Sequence, residues 1–439
     1  MNVLRQAAFA AAFCLPGVAQ ATITVTSDPI LFWNERVTTL MAGGPPAQSR
    51  AYAMMNIAMF DAANSVLGGP HAFYTSGVAG FGGDIRAAVS QAAYNVLVAV
   101  DAANAGAYLT ALNDSLSLVA DPVQRNLGIA TGGAFSGAVL GLRATDGANM
   151  PVAYVPTGLP GNWKPTTPGS AAAPHWGDVT PFVLASGDQF RPGPPPDLAS
   201  AEYAAALNEV KEIGSAGSLT RTADQTAAAL FWDAANASPW MRIGLAVAED
   251  EGFSTIETAR AFSLLSTGLA DGLISGFEAK YEYQLWRPLT AIREADTDGN
   301  AATDADPGWN SLFNAPLHPS YSSTHSILSG VGETILSGIF GDDEGFTLTI
   351  AGDTRSFTSL ADAAQDGANS RLWGGIHFRF DNEAGLAQGR QIGRHALASG
   401  AFGAVPEPAS WAMLIAGFAL AGGALRRQRR TAPRAIPAG

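Results

Sequence analysis

The chain has one cysteine, Cys14, and only three lysines, Lys164, Lys211 and Lys280. A single thiol excludes a disulfide framework and every cysteine-rich metal site. With 38 acidic against 25 basic residues the formal charge is −13. That balance excludes nucleic acid as a partner, because a phosphate backbone demands a basic face. Any anion site must therefore be built locally, from a few focused cations. Long apolar runs are scarce as well, and Trp411 to Leu425 is shorter than the roughly 20 residues of a membrane span. What is present is a 47% hydrophobic, 14% charged composition, which describes a folded chain with a core. A length of 439 residues allows two domains or one large helical body with terminal appendages, and the abundant alanine favours the second.

Arg5 precedes the apolar run Ala7 to Cys14, and the segment ends Val18-Ala19-Gln20-Ala21, an A-x-A pattern for cleavage before Thr22. Residues 1–21 thus read as a signal peptide, which removes the only thiol and implies export. At the other end Val405-Pro406-Glu407-Pro408 leads into the apolar run and then Arg426-Arg427-Gln428-Arg429-Arg430. This order resembles the PEP-CTERM sorting signal of Gram-negative bacteria, over residues 405–430. The resemblance implies recognition by an exosortase, cleavage near the Pro-Glu-Pro, and delivery to periplasm, cell surface or extracellular matrix, with the tail as a transient anchor.

Between these ends the periodicity predicts an all-α protein, a large helical bundle over 22–404 with its catalytic part at about 200–400. Helices are expected over Ser49 to Asn64, from Asp84 to Val100 and from Asp121-Pro122 to Arg143. Further helices are expected over Ser200 to Ile213, from Thr222 to Ala235, within 238–251 and 254–287, and over Thr324 to Phe340, Ser359 to Asn369 and Asn382 to Leu397. Thr22 to Thr26 reads as a short strand or extended arm, and Phe346 to Ile350 alternates like a strand. Residues 151–198 are rich in proline and glycine and cannot continue helices. Their Trp163, Trp176, Phe182 and Phe190 predict a loop wrapped over the helical body, since free linkers rarely carry so many aromatics. Asp296-Thr297-Asp298-Gly299-Asn300 alternates carboxylates as a calcium loop does. It has Ala301 where the EF-hand needs glycine and Pro307 where it needs glutamate, so a solvated acidic loop is expected.

Three stretches carry chemistry. In Lys280 to Pro288, a continuous helix would rotate about 700° over seven residues, placing Lys280 and Arg287 on one face roughly 10 Å apart, where both could meet one anion. Alone, such a pair is more often a solvated face with Glu282 as a partner. Leu317 to Ser326 places hydroxyls and backbone N–H groups at a helix start, an anion-binding arrangement, with His325 beside it to move protons. A capping or core histidine is the alternative there. In Ser370 to Asp381, two glycines allow a tight path from Arg371 to His377, and Asp381 four residues on can hydrogen-bond one ring nitrogen and leave the other free. Otherwise Asp381 pairs with Arg379 or Arg390.

Lys280 with six residues then Arg287-Pro288, followed by Ser323-Thr324-His325, followed by Arg371 with five residues then His377, resembles the three-part signature of the vanadium-dependent haloperoxidases and type 2 phosphatidic acid phosphatases. Trp33-Asn34-Glu35, Ala51 to Asn64, Gly187 to Pro192 and Gly374 to Asn382 look like its exported bacterial haloperoxidase-like branch. The resemblance implies vanadate as cofactor, with His377 as its apical ligand. It implies that Lys280, Arg287 and Arg371 bind equatorial oxygens and that the Ser323 hydroxyl and Thr324 N–H add hydrogen bonds. His325 becomes the acid–base residue. Thr324 departs from the usual glycine before that histidine. His318 stands where algal bromoperoxidases resemble this chain in having histidine and fungal chloroperoxidases have phenylalanine, which implies a part in halide choice; as a bare residue it reads equally as a loop histidine.

The implied reaction is oxidation of halide by hydrogen peroxide to hypohalous acid, with vanadate as a Lewis acid in a field of preorganised positive charge. The same residues would serve an acid phosphatase, in which His377 attacks the phosphorus of a phosphate ester, forms a phosphohistidine, and needs no vanadate. Export favours the haloperoxidase over the lipid phosphatases. A surface or matrix protein without catalysis is a third reading, against which the intact cationic and histidine set speaks.

Overall fold

The computed structural model describes residues 23–233, 239–249, 251–342 and 345–405. The expected signal peptide and nearly all of the sorting signal lie outside these residues. The described chain is all-α apart from one hairpin.

Helices α1 (Pro29–Leu40), α2 (Pro45–Val66), α3 (Ile85–Val100), α4 (Ala105–Ser117) and α5 (Pro122–Leu142) form a first layer. Asp84 and Asp121 cap α3 and α5 as expected, each side chain accepting from backbone N–H groups of the first turn. Two helices of this layer, α1 and α4, were not expected, and neither was the short α10 (Pro288–Arg293) of the second layer. The first is opened by Asp28, whose carboxylate accepts from Ile30 N ahead of Pro29 at a first-turn position. Residues 23–26 form no strand; Ser27 N turns back to Thr24 O instead.

The second layer holds α6 (Ala201–Ile213), α7 (Ala223–Asp233), α8 (Pro239–Ala248), α9 (Thr255–Tyr283), α10 (Pro288–Arg293), α11 (Thr324–Phe340), α12 (Leu360–Trp373) and α13 (Arg379–Ala398). The expected capping box at Thr222 forms, with Gln225 N donating to the Thr222 hydroxyl and Thr222 N to the Gln225 side chain. Between α11 and α12, β1 (Phe346–Ile350) and β2 (Asp353–Phe357) pair antiparallel.

The long helix α9 is the axis, packing on α2 of the first layer and on α11 and α13 of the second. Its side toward α11 carries Gly268, Gly272 and Gly276, a row at four-residue spacing that lets the two helices approach closely. A Cβ at Gly276 would lie 2.7 Å from Thr324 Cγ2, at the very start of α11. Lys280 is the next member of that row, so the helix delivers its side chain to the loop before α11.

The expected wrapping loop is present. Trp163, Trp176 and Phe182 are buried. The Asp271 carboxylate of α9 ties the loop down by accepting from the N–H groups of Phe182, Val183 and Leu184 at 2.6–2.9 Å. The same loop ends α9 early. Trp163 N donates to Gln284 O and Trp286 N to Gly161 O, an extended pairing that draws residues 284–286 out of the helix, with Gln284 left-handed at φ 52°. Lys280 and Arg287 therefore do not share a helix, contrary to the sequence reading: a long-range backbone pairing outcompetes the last turn, and Arg287 becomes the residue that precedes α10.

Candidate active site

Three segments converge on one end of the second layer: the exit of α9, the loop into α11 and the α12–α13 connection. Lys280 is fully buried, and its Nζ donates to the carbonyl oxygens of Pro319 (3.1 Å), Ser320 (2.7 Å) and Ser322 (2.6 Å). Glu282 is not its partner but pairs with Arg191. All three ammonium protons thus hold the loop that presents His318 and the α11 start. Burial first, then the neighbouring Arg287 charge, pushes Lys280 well below its ordinary value, against the pull of Asp381.

Arg287, also fully buried, spreads its fork across both flanking segments. Nε donates to His318 O at 2.9 Å, Nη1 to Ile376 O at 2.7 Å and to His377 Nε2 at 2.9 Å, and Nη2 to His318 Nδ1 at 2.9 Å. A guanidinium only donates, so both imidazoles accept. His318 Nδ1 also lies 3.2 Å from Pro319 O, but the shorter Arg287 contact makes Nδ1 the acceptor and leaves the proton on Nε2. Burial lowers Arg287 to about 9.

His377 lies just before α13, with Phe378 as the residue flanking that helix. Its Nδ1 is 2.8 Å from Asp381 Oδ2, a contact made across the helix start rather than along a helical face. Since Nε2 accepts from Arg287, the proton sits on Nδ1 and points at the carboxylate. Asp381 also accepts from Ser320 Oγ (2.5 Å) and Phe378 N (3.2 Å), while its Oδ1 is buried without a partner. The surface alternatives fall away, because Arg379 pairs with Glu209 and Arg390 with Glu333. Burial raises the Asp381 carboxyl, with the Ser320 hydrogen bond and the Lys280 and Arg287 charges opposing it.

A cavity of about 260 Å³ opens in front of His377, and His318, Thr324, His325 and Arg371 also line it. Arg371, at the end of α12, is 9% exposed; its Nη2 reaches Asp233 at 3.2 Å and its Nη1 is buried with no partner. Phe313 lies under the guanidinium, 5.8 Å from ring centre to Cζ. Burial holds His377, His318 and His325 well below the usual imidazole value; Arg287 adds to this for the first two and Arg371 for His325. His325 meets Trp232 edge-on at 5.8 Å. Lys280, Arg287 and Asp381 stand behind the wall of this cavity.

Ser323 stands apart from the expectation. Its hydroxyl accepts from Ser326 N and Ser326 Oγ as the cap of α11 and does not line the cavity. Ser320, Trp232, Asp233 and Phe313 were missed by sequence reasoning. Only Ser320 had a local signal, lying within the second stretch, whereas the other three are brought in by the α7–α12 packing and the loop before α11.

The fold and site define a helical-bundle protein with a buried, cation-rich pocket built around a histidine held by a carboxylate. Residues 260–401 match the VCPO second helical-bundle domain and residues 404–430 the PEP-CTERM protein-sorting motif. A vanadium chloroperoxidase of Curvularia inaequalis is 28% identical over 192 residues, 36% of this chain and 31% of that protein, so the chain matches about a third of that relative's length. A bacterial vanadium-dependent iodoperoxidase structure superposes with TM-score 0.73 at 28% identity, over 87% of this chain and 98% of that one. A holo-type bacterial vanadium-dependent chloroperoxidase gives TM-score 0.66 at 17% identity, over 87% and 96%, a likeness of fold alone. The chain is similar to the vanadium haloperoxidases in its second helical bundle and in its fold, and it carries a C-terminal PEP-CTERM motif, which indicates export to the cell envelope or surface.

Proposed function

We propose that this protein is a vanadate-dependent haloperoxidase that oxidises a halide with hydrogen peroxide at the cell envelope, after processing by an exosortase. The observation that carries the reading is His377. Its Nδ1 proton is fixed on Asp381, its Nε2 carries the lone pair, and Arg371 beside it keeps a buried N–H without a partner. An orphaned guanidinium donor lining the same cavity as an imidazole whose accepting nitrogen is met only by the Arg287 guanidinium fits a tetrahedral oxyanion such as vanadate.

His377 Nε2 would hold the vanadate, Arg371 Nη1 would donate to one of its oxygens, and Arg287 Nη1 would turn from Nε2 to another. Bound vanadate supplies a Lewis acid that activates peroxide toward halide. Lys280 contributes its charge from behind the loop and keeps the loop in place. Asp381 holds the imidazole orientation and balances the buried positive charge. His325, neutral through burial, accepts and returns protons at the cavity wall. His318 accepts from Arg287 and presents Nε2–H.

Among the described residues no single helix is long and apolar enough to cross a membrane. The decisive assay is purified mature protein with and without orthovanadate. Vanadate- and peroxide-dependent bromination of a phenol dye is expected. Phosphate-ester hydrolysis without bromination would replace this reading with the phosphatase, and silence in both with a non-catalytic surface protein.

A further inference from the structure

A second cavity, of about 370 Å³, adjoins the first, and Pro45, Leu273, His318 and Thr324 line both. Its chemistry is different. No acidic residue, lysine or arginine lines it; its walls are small and apolar residues such as Ala47 and Ala148 with the rings of Trp176 and Phe277. The first cavity, by contrast, has Arg371 and three histidines.

Two consecutive residues of this chamber hold an unusual pair of polar atoms. His175 Nε2 lies 3.0 Å from Ala148 O, and because a carbonyl only accepts, Nε2 is the donor and Nδ1 a bare acceptor. That Nδ1 is buried without a partner, and so is the Nε1–H donor of Trp176. Most buried polar atoms are paired, so one orphan acceptor and one orphan donor on two neighbouring residues that line one apolar chamber call for a ligand that can do both. A hydroxyl both donates and accepts, and the surrounding surface suits a ring.

We propose that this chamber binds a neutral aromatic hydroxyl compound of one or two rings, held beside the His377 cavity as the halogen acceptor. The role as acceptor rests on the haloperoxidase reading. Hypohalous acid formed in the first cavity would pass its halogen to a ring carbon as the oxygen–halogen bond breaks. The displaced ring proton leaves with the hydroxide as water. Thr324, lining both cavities at the position where the signature usually has glycine, is the partition between them.

The test uses 2-naphthol, titrated calorimetrically into the full mature protein without vanadate or peroxide. Saturable one-to-one binding is expected, with naphthalene bound more weakly. Ala47→Trp, at an exposed position on the first turn of α2, and separately Ala148→Phe, should weaken 2-naphthol binding by at least about tenfold while orthovanadate binding stays intact. Absence of saturable binding, or binding unchanged in both variants, overturns the chamber assignment, and equal affinity for naphthalene overturns the part given to the hydroxyl. Protein that binds 2-naphthol but not orthovanadate supports the chamber and separately overturns the oxidation reading.

Discussion

Arg287 Nη1 lies 2.9 Å from His377 Nε2, so the nitrogen proposed to hold an oxyanion is met by the guanidinium of another segment. Arg287→Lys keeps the charge and loses the fork that joins His318, Ile376 and His377. Orthovanadate affinity should fall about 10–100-fold, matching the roughly 1.5–3 kcal/mol of a hydrogen bond to a charged group. Isothermal titration checks this, and an unchanged affinity would show that Arg287 serves only the fold.

Asp381→Asn should leave the fold in place but loosen the His377 tautomer, because an amide can donate as well as accept and Arg287 alone then favours the proton on Nδ1. The expected loss in oxyanion affinity is about 10–100-fold, the range for partners that orient a ligand histidine. The nitrogen resonances of His377 report the tautomer directly.

Acid should destabilise the protein before it denatures the carboxylate network. Burial holds His318, His325 and His377 below the ordinary imidazole value, so below about pH 6.5 the unfolded chain binds more protons than the folded one. Their stabilisation is complete above that pH and is lost as the pH falls toward the folded values, by up to about 1.4 kcal/mol per pH unit for each. The melting temperature should drop from pH 7 to 5, less steeply in His325→Phe, which can keep the ring contact with Trp232. A flat profile would contradict the burial of these rings.

Asp233 competes for Arg371. Its side chain is 46% exposed, so the pair is worth no more than about 1 kcal/mol. Asp233→Asn should raise orthovanadate affinity by up to about fivefold. A lower affinity would mean that Asp233 positions Arg371 rather than detaining it.

Gly375 turns the α12–α13 connection with φ +74°, and a Cβ there would meet Gly214 O at 2.2 Å. Gly375→Ala should cost at least about 1–3 kcal/mol in unfolding free energy and displace His377, so oxyanion binding should weaken with stability. Chemical denaturation alongside vanadate titration measures both.

The helix starts were legible because their signals are local: Asp84, Asp121, Ser200, Thr222 and Ser359 each cap the helix they announce. So were the three signature stretches, since within each one the residue types and spacing are local, although Arg287 and Ser320 reach His377 from 90 and 57 residues away. The continuous helix from 254 to 287 was misread, because its last turn loses to a pairing with Gly161 and Trp163, more than a hundred residues earlier. For the same reason the unhelpful hydroxyl of Ser323 and the helpful one of Ser320 could not be told apart.

The sequence by itself determined the helical class, the cationic and histidine set and the sorting tail, all written in residue type and short-range spacing. Only the tertiary structure decided that Lys280 spends its donors on three carbonyls and that Arg287 caps His377. It alone placed an apolar chamber behind Thr324. Those outcomes depend on which backbone groups and side chains long-range packing brings within hydrogen-bonding reach, and no local pattern encodes that.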